Sequence, residues 1–145
     1  MIKSEVARDV ERMAEFILAN SRIDFGDAVG VRFVRSVGMR SNCYARIYGI
    51  PAAIKTAVGT NTKYVVEVNS STYDPLPLEE KFRVLLHEFT HIPGGARGSL
   101  RAHRSPFFRR NLRAEGERLA KLYVSSDGFR HNQGITQTTR ATSQN

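Results

Sequence analysis

The sequence holds a single cysteine, Cys43, and no tryptophan. One thiol excludes an internal disulfide and a cysteine-rich metal centre, and it fits a reducing compartment. No sequence feature pairs Cys43 with a base, so it reads as a buried strand residue. Acids are scarce as well, 14 against 22 lysines and arginines, for a net charge of +8. No carboxylate cluster is visible that would hold a second metal for phosphodiester cleavage. The positive surplus favours contact with an anionic polymer, nucleic acid first. The apolar runs fall far short of the about 20 residues of a membrane span. The opening Met-Ile-Lys-Ser-Glu-Val has no apolar signal region, so the expectation is a cytoplasmic protein without a membrane partner. No internal repeat is visible.

What is present is one domain's worth of chain, 145 residues with 41% apolar content, enough for a modest core. Its organising stretch is Leu85-Leu86-His87-Glu88-Phe89-Thr90-His91. His-Glu-x-x-His on a helix sets two imidazoles at i and i+4, on one face and one turn apart. Both then reach one zinc ion, and the intervening Glu88 can serve as general base to the activated water. Phe82, Leu85, Leu86 and Phe89 recur at i, i+3, i+4 and i+7, an apolar stripe that leaves His87 and His91 on another face. Glu79 and Glu80 follow Pro77 in a plausible first turn, and Pro93-Gly94-Gly95 ends the helix near Ile92.

A catalytic zinc keeps three protein ligands. His103, beyond the Gly-rich loop 93–98, is the leading candidate for the third, and Glu115 and Glu117 on the next helix are its competitors. Tyr44, Tyr48, Tyr64 and Arg101 are candidate donors to a developing oxyanion. An extended substrate could pair with an edge strand, most simply Lys63 to Asn69.

The remaining pattern predicts an α+β domain. Residues 4–19 read as an amphipathic helix capped by Ser4, with Val6, Val10, Met13, Ala14, Phe16 and Ile17 on its apolar side. Strands are expected at 31–37, 43–50 and 63–69, a small three-stranded sheet, with a short helix over 51–58. Residues 70–77 read as a connector. Ser105 caps a last helix whose buried side is Phe107, Phe108, Leu112, Leu119, Leu122 and Tyr123. The domain then covers residues 1–124, and the polar segment 125–145 reads as a flexible tail.

Between Arg97 and Lys121 eight basic residues face two acids. Arg97, Arg101, Arg104, Arg109, Arg110 and Arg113 are the candidate contacts to DNA or RNA, against the plainer reading of a solvated helix face.

Four blocks carry a resemblance: Ala45-Arg46-Ile47-Tyr48-Gly49-Ile50-Pro51, Tyr64-Val65-Val66-Glu67-Val68, Leu86-His87-Glu88-Phe89-Thr90-His91-Ile92-Pro93 and Gly98-Ser99-Leu100-Arg101-Ala102-His103. In this order, over roughly residues 30–110, the chain resembles the putative phage metallopeptidases. More distantly it is similar to SprT-like minimal zincins. The later third histidine sets it apart from the metzincin pattern. The resemblance implies a minimal zincin-like domain and a zinc peptidase, with His87, His91 and His103 as ligands and Glu88 as base. SprT-like relatives act near DNA, which would suit a basic chain. The rival expectation is a non-enzymatic nucleic-acid or ribonucleoprotein component on the same fold.

Overall fold

Strands β1 (Lys3–Val6), β2 (Val31–Val37), β3 (Ala45–Gly49) and β4 (Tyr64–Asn69) form one sheet in the order β1-β2-β4-β3. The central pair β2 and β4 is parallel, and both outer pairs are antiparallel. Helices α1 (Arg8–Asn20), α2 (Ala52–Val58), α3 (Ser70–Tyr73), α4 (Leu78–Phe89) and α5 (Pro106–Val124) complete the described elements. The computed structural model of the chain describes residues 1–23, 25, 30–92 and 106–126, with 106–109 as backbone alone. The expectations for His103, for the Ser105 cap, for Phe107 and Phe108 and for residues 127–145 of the tail lie outside the described residues or side chains. The fold class is α+β, of the small zincin-like kind, with four strands where three were expected.

The fourth strand is β1, which the sequence reading placed inside the first helix. Lys3 to Val6 pair with Val37 to Val34, and α1 starts only after Ala7. The Ser4 hydroxyl, expected as a helix cap, instead lies 2.7 Å from that of Ser36 across the strands. Val6, counted on the helix stripe, is 66% exposed. A four-residue segment next to a strong helical period has no periodicity of its own to set it apart, so its partner strand decided.

The second correction concerns the edge. β4 was the expected edge strand, but β2 and β3 flank it on both sides. Val66 and Val68 are fully buried on its core face. The edge beside α4 is therefore β3. That strand also starts later than expected, at Ala45, and Cys43 lies half-buried ahead of it. The Cys43 carbonyl accepts hydrogen bonds from the Asn69 amide at 3.0 Å and the Thr72 hydroxyl at 2.7 Å. Those side chains replace the ladder at that point. Asn69 also caps α3, a helical turn inside the expected connector.

α1 and α4 pack against the sheet, and α5 runs along α4. The expected stripe of α4, Phe82, Leu85, Leu86 and Phe89, is fully buried. Tyr123 of α5 meets Phe16 and Phe82 edge-on at 5.1 and 5.3 Å between ring centroids. Each such pair contributes about 0.5–1.5 kcal/mol beyond its burial. Leu112, Leu119 and Tyr123 face this core as expected, whereas Leu122 is 42% exposed. Glu115 is buried on the same helix. At Gly116 the helices nearly touch: a Cβ there would sit 2.9 Å from the Glu79 carbonyl oxygen and 3.3 Å from the Arg83 nitrogen. The residue that is a poor helix former in isolation is here the one that lets α5 approach α4.

Arg35 sits on the core side of β2, two residues from the buried Phe33. Its guanidinium bridges Asp9 of α1 at 2.7 Å and Asp74, the residue after α3, at 3.0 Å. Burial works to raise the pKa of Asp9, but the hydrogen bonds and charge of Arg35 outweigh it and hold the carboxyl below the ordinary 3.8. A lowered folded pKa stabilises fully above the unfolded value and is lost as pH falls through the folded one. Arg35→Met should cost about 2 kcal/mol at neutral pH, less than for a fully buried pair because both carboxylates are partly exposed. The variant should also lose less of its remaining stability below about pH 4. Urea titrations at neutral and acid pH check this, and a variant as acid-sensitive as the parent would remove Arg35 from the role.

Candidate metal centre

α4 buries Phe82, Val84, Leu85, Leu86, Glu88 and Phe89; His87 near its end is half-buried, and His91, two residues past it, is exposed. Positions i and i+4 differ by about 40° around a helix, so the two imidazoles project together. Their ring centroids are 5.1 Å apart with planes at 87°. Two imidazoles bound to one metal at about 2.0–2.1 Å, near the tetrahedral angle, would hold their centroids roughly 5 Å apart. The observed spacing fits one ion. At the helix end the amides of Thr90, His91 and Ile92 donate to the carbonyls of His87, Glu88 and Phe89 at 3.1–3.2 Å. The Thr90 hydroxyl also caps the His87 carbonyl at 2.5 Å. The last turn is thus tightened to i+3 bonding, which satisfies carbonyls that a helix end leaves open.

Glu88 lies between the histidines and is 8% exposed. Its Oε1 is 3.7 Å from His87 Nδ1. Among the described residues no three His, Cys, Asp or Glu side chains gather as a ligand set. His103 lies outside those residues. Of its competitors, Glu115 has both oxygens engaged elsewhere. Arg118 Nε donates to Oε1 at 2.5 Å, and the Ser21 hydroxyl, the Arg22 amide and Arg118 Nη2 donate to Oε2 at 3.1, 2.5 and 3.0 Å. Burial tends to raise its pKa, but these donors prevail and hold it low. Glu115 therefore ties α5 to the end of α1. Glu117 is exposed on α5.

Glu88 and His91 look onto the edge of the sheet, whereas His87 is not part of the cleft lining there. The Asn69 amide donates to the Tyr44 carbonyl at 2.9 Å, and the Ile50 amide donates to the Lys63 carbonyl at 2.8 Å. Alternation along an antiparallel pair then turns the backbone groups of Arg46 and Tyr48 toward β4. Those of Ala45, Ile47 and Gly49 point to the open side. Between that edge and α4 runs a cleft of about 580 Å³, lined by all of β3, by Tyr64 and by Glu88 and His91. A larger hollow of about 690 Å³ beside α2 holds Lys55 and Lys63 but no metal-ligating side chain.

Of the expected oxyanion donors, Tyr64 and Tyr48 line the cleft. The Tyr48 hydroxyl already donates to Glu67 Oε1 at 2.8 Å. Tyr44 is not part of the lining, and Arg101 lies outside the described residues. Arg110 and Arg113 are exposed on α5. Arg97, Arg101, Arg104 and the side chain of Arg109 are not among those described. The sequence reading missed β3 as the cleft wall. Composition held no signal for it: residues 45–49 carry one charged side chain, Arg46, and residues 64–69 carry Glu67 and Asn69.

No helix among the described residues is long and apolar enough to cross a membrane. The family model described as "Putative phage metallopeptidase" matches residues 2–127. No curated protein and no solved structure matches the chain.

Proposed function

We propose, for a chain that belongs to the putative phage metallopeptidase family, that it is a zinc-dependent endopeptidase acting on extended or unfolded polypeptide. Family membership implies a metal-dependent peptidase at the coarse level; the zinc, the residue roles and the substrate are our reading. The observation that carries it is one cleft that holds His91, a shielded Glu88 and an open strand edge, with the His87 ring 5.1 Å from that of His91.

His87, His91 and His103 would hold the zinc. When bound, zinc supplies a Lewis acid that polarises the scissile carbonyl and makes water acidic enough to deprotonate near neutral pH. Glu88 takes the water proton and passes it to the leaving amine. The low exposure of Glu88 keeps bulk water from competing for that transfer. Tyr64 is the cleft hydroxyl with no hydrogen bond to another described residue, and it donates to the carbonyl oxygen as negative charge develops there. The N–H and C=O groups of Ala45, Ile47 and Gly49 bind the peptide as an added strand. A cleft of this openness suits a flexible segment better than a folded surface.

The test is hydrolysis of an unfolded protein such as casein. Cleavage should stop with a chelator and return with zinc, and cleavage indifferent to the chelator would sink the reading. A second reading keeps support from Arg110 and Arg113, exposed and paired with no described carboxylate. On it, the chain binds nucleic acid on a zincin-like fold without catalysis. Nucleic-acid affinity that falls steeply with salt, in protein that cleaves nothing, would favour it.

A further inference from the structure

β3 has two faces, and the chemistry above uses one. Ala45, Ile47 and Gly49 turn toward α4, whereas Arg46 and Tyr48 lie on the opposite face of the sheet and still border the cleft. Register sets Arg46 against Glu67 of β4. A direct cross-strand pair would compensate its charge. Instead Glu67 accepts from the Tyr48 hydroxyl at 2.8 Å and from the Ser36 hydroxyl at 2.6 Å. The ion pairs among the described residues all lie elsewhere. Arg46 is exposed, and the groups that bear on its guanidinium are Cys43 and Tyr48. Glu67 anchors the Tyr48 ring and leaves a cation without a carboxylate at the rim of a peptide-sized cleft.

A peptide joining β3 antiparallel makes the pairing that β3 already makes with β4, the more stable kind per residue. The peptide residue opposite Ile47 exchanges both backbone hydrogen bonds. Its two neighbours fall opposite Arg46 and Tyr48 as non-hydrogen-bonded pairs, whose side chains lie closest, with Cα atoms about 4.5 Å apart. Strand direction places the C-terminal neighbour opposite Arg46 and the N-terminal neighbour opposite Tyr48. We propose that β3 selects peptides with an acidic residue two positions after an aromatic or large apolar one, Arg46 meeting the acid and Tyr48 the apolar side chain. This deepens the peptidase reading and rests on its placement of substrate along β3.

The test uses extended peptides alike except for Asp, Asn or Lys at the position two after a phenylalanine. Binding is measured by fluorescence anisotropy on zinc-loaded Glu88→Gln protein, and kcat/KM on the unsubstituted enzyme. The Asp peptide should exceed the Lys peptide roughly three- to tenfold in both, less so in high salt. Arg46→Glu should reverse the order, and Arg46→Gln should remove it; because Arg46 is exposed, Arg46→Gln should keep the parent's thermal midpoint, whereas Arg46→Glu faces Glu67 and should lower it slightly. Binding in that order without cleavage would sustain the inference and sink catalysis. Cleavage at equal rates, or an order unchanged in Arg46→Glu, would overturn the inference and spare the peptidase. Neither binding nor cleavage would overturn both.

Discussion

Glu88→Gln should bind zinc as the parent does and hydrolyse peptides about 10²- to 10⁴-fold more slowly. The substitution keeps the side chain's length and its hydrogen-bonding shape but cannot take up a proton. Glu88 is the carboxylate that lines the cleft together with His91, and its low exposure makes replacement by a solvent base inefficient. The metal stays because the histidines are untouched. Zinc content and turnover measured on the same preparation check both halves. A variant that retains metal-dependent cleavage at the parent's rate would remove Glu88 from its role.

His103→Ala should weaken zinc affinity by more than about a hundredfold, since even partners one step removed from a metal cost 10- to 100-fold. Glu115→Gln is the matched control. Its carboxylate holds α5 against the end of α1 through Ser21, Arg22 and Arg118, so the change should lower stability and leave one zinc per chain. Elemental analysis beside thermal unfolding separates the two. Zinc lost from Glu115→Gln and kept in His103→Ala would exchange the two residues' roles. Zinc kept in both, with one equivalent per chain, would move the third ligand to Glu117.

Much of the candidate site was legible because it is written at helical spacing. The stripe Phe82, Leu85, Leu86 and Phe89 and the pair His87 and His91 lie within one short segment, where a residue's face follows from its position alone. The same holds for the core positions Val10, Met13 and Ile17 of α1. β1 was not legible, since four residues pair only through a strand about 30 positions away. Nor was the function of Glu115, which shares α5 with the competing candidate Glu117 but finds its partners at Ser21 and Arg22.

The sequence by itself determined the charge, the amphipathic helices, the imidazole pair and the carboxylate between them, because each depends on residue type and local period. Tertiary structure decided which strand is the edge, where Arg35 finds its two carboxylates, how closely Gly116 lets α5 approach α4 and which wall faces Glu88. Those depend on pairing between distant segments, and strand order has no local period to betray it. β3 and β4 both read as strands. Only the insertion of β4 between β2 and β3 left the backbone of Ala45, Ile47 and Gly49 open beside Glu88 and His91.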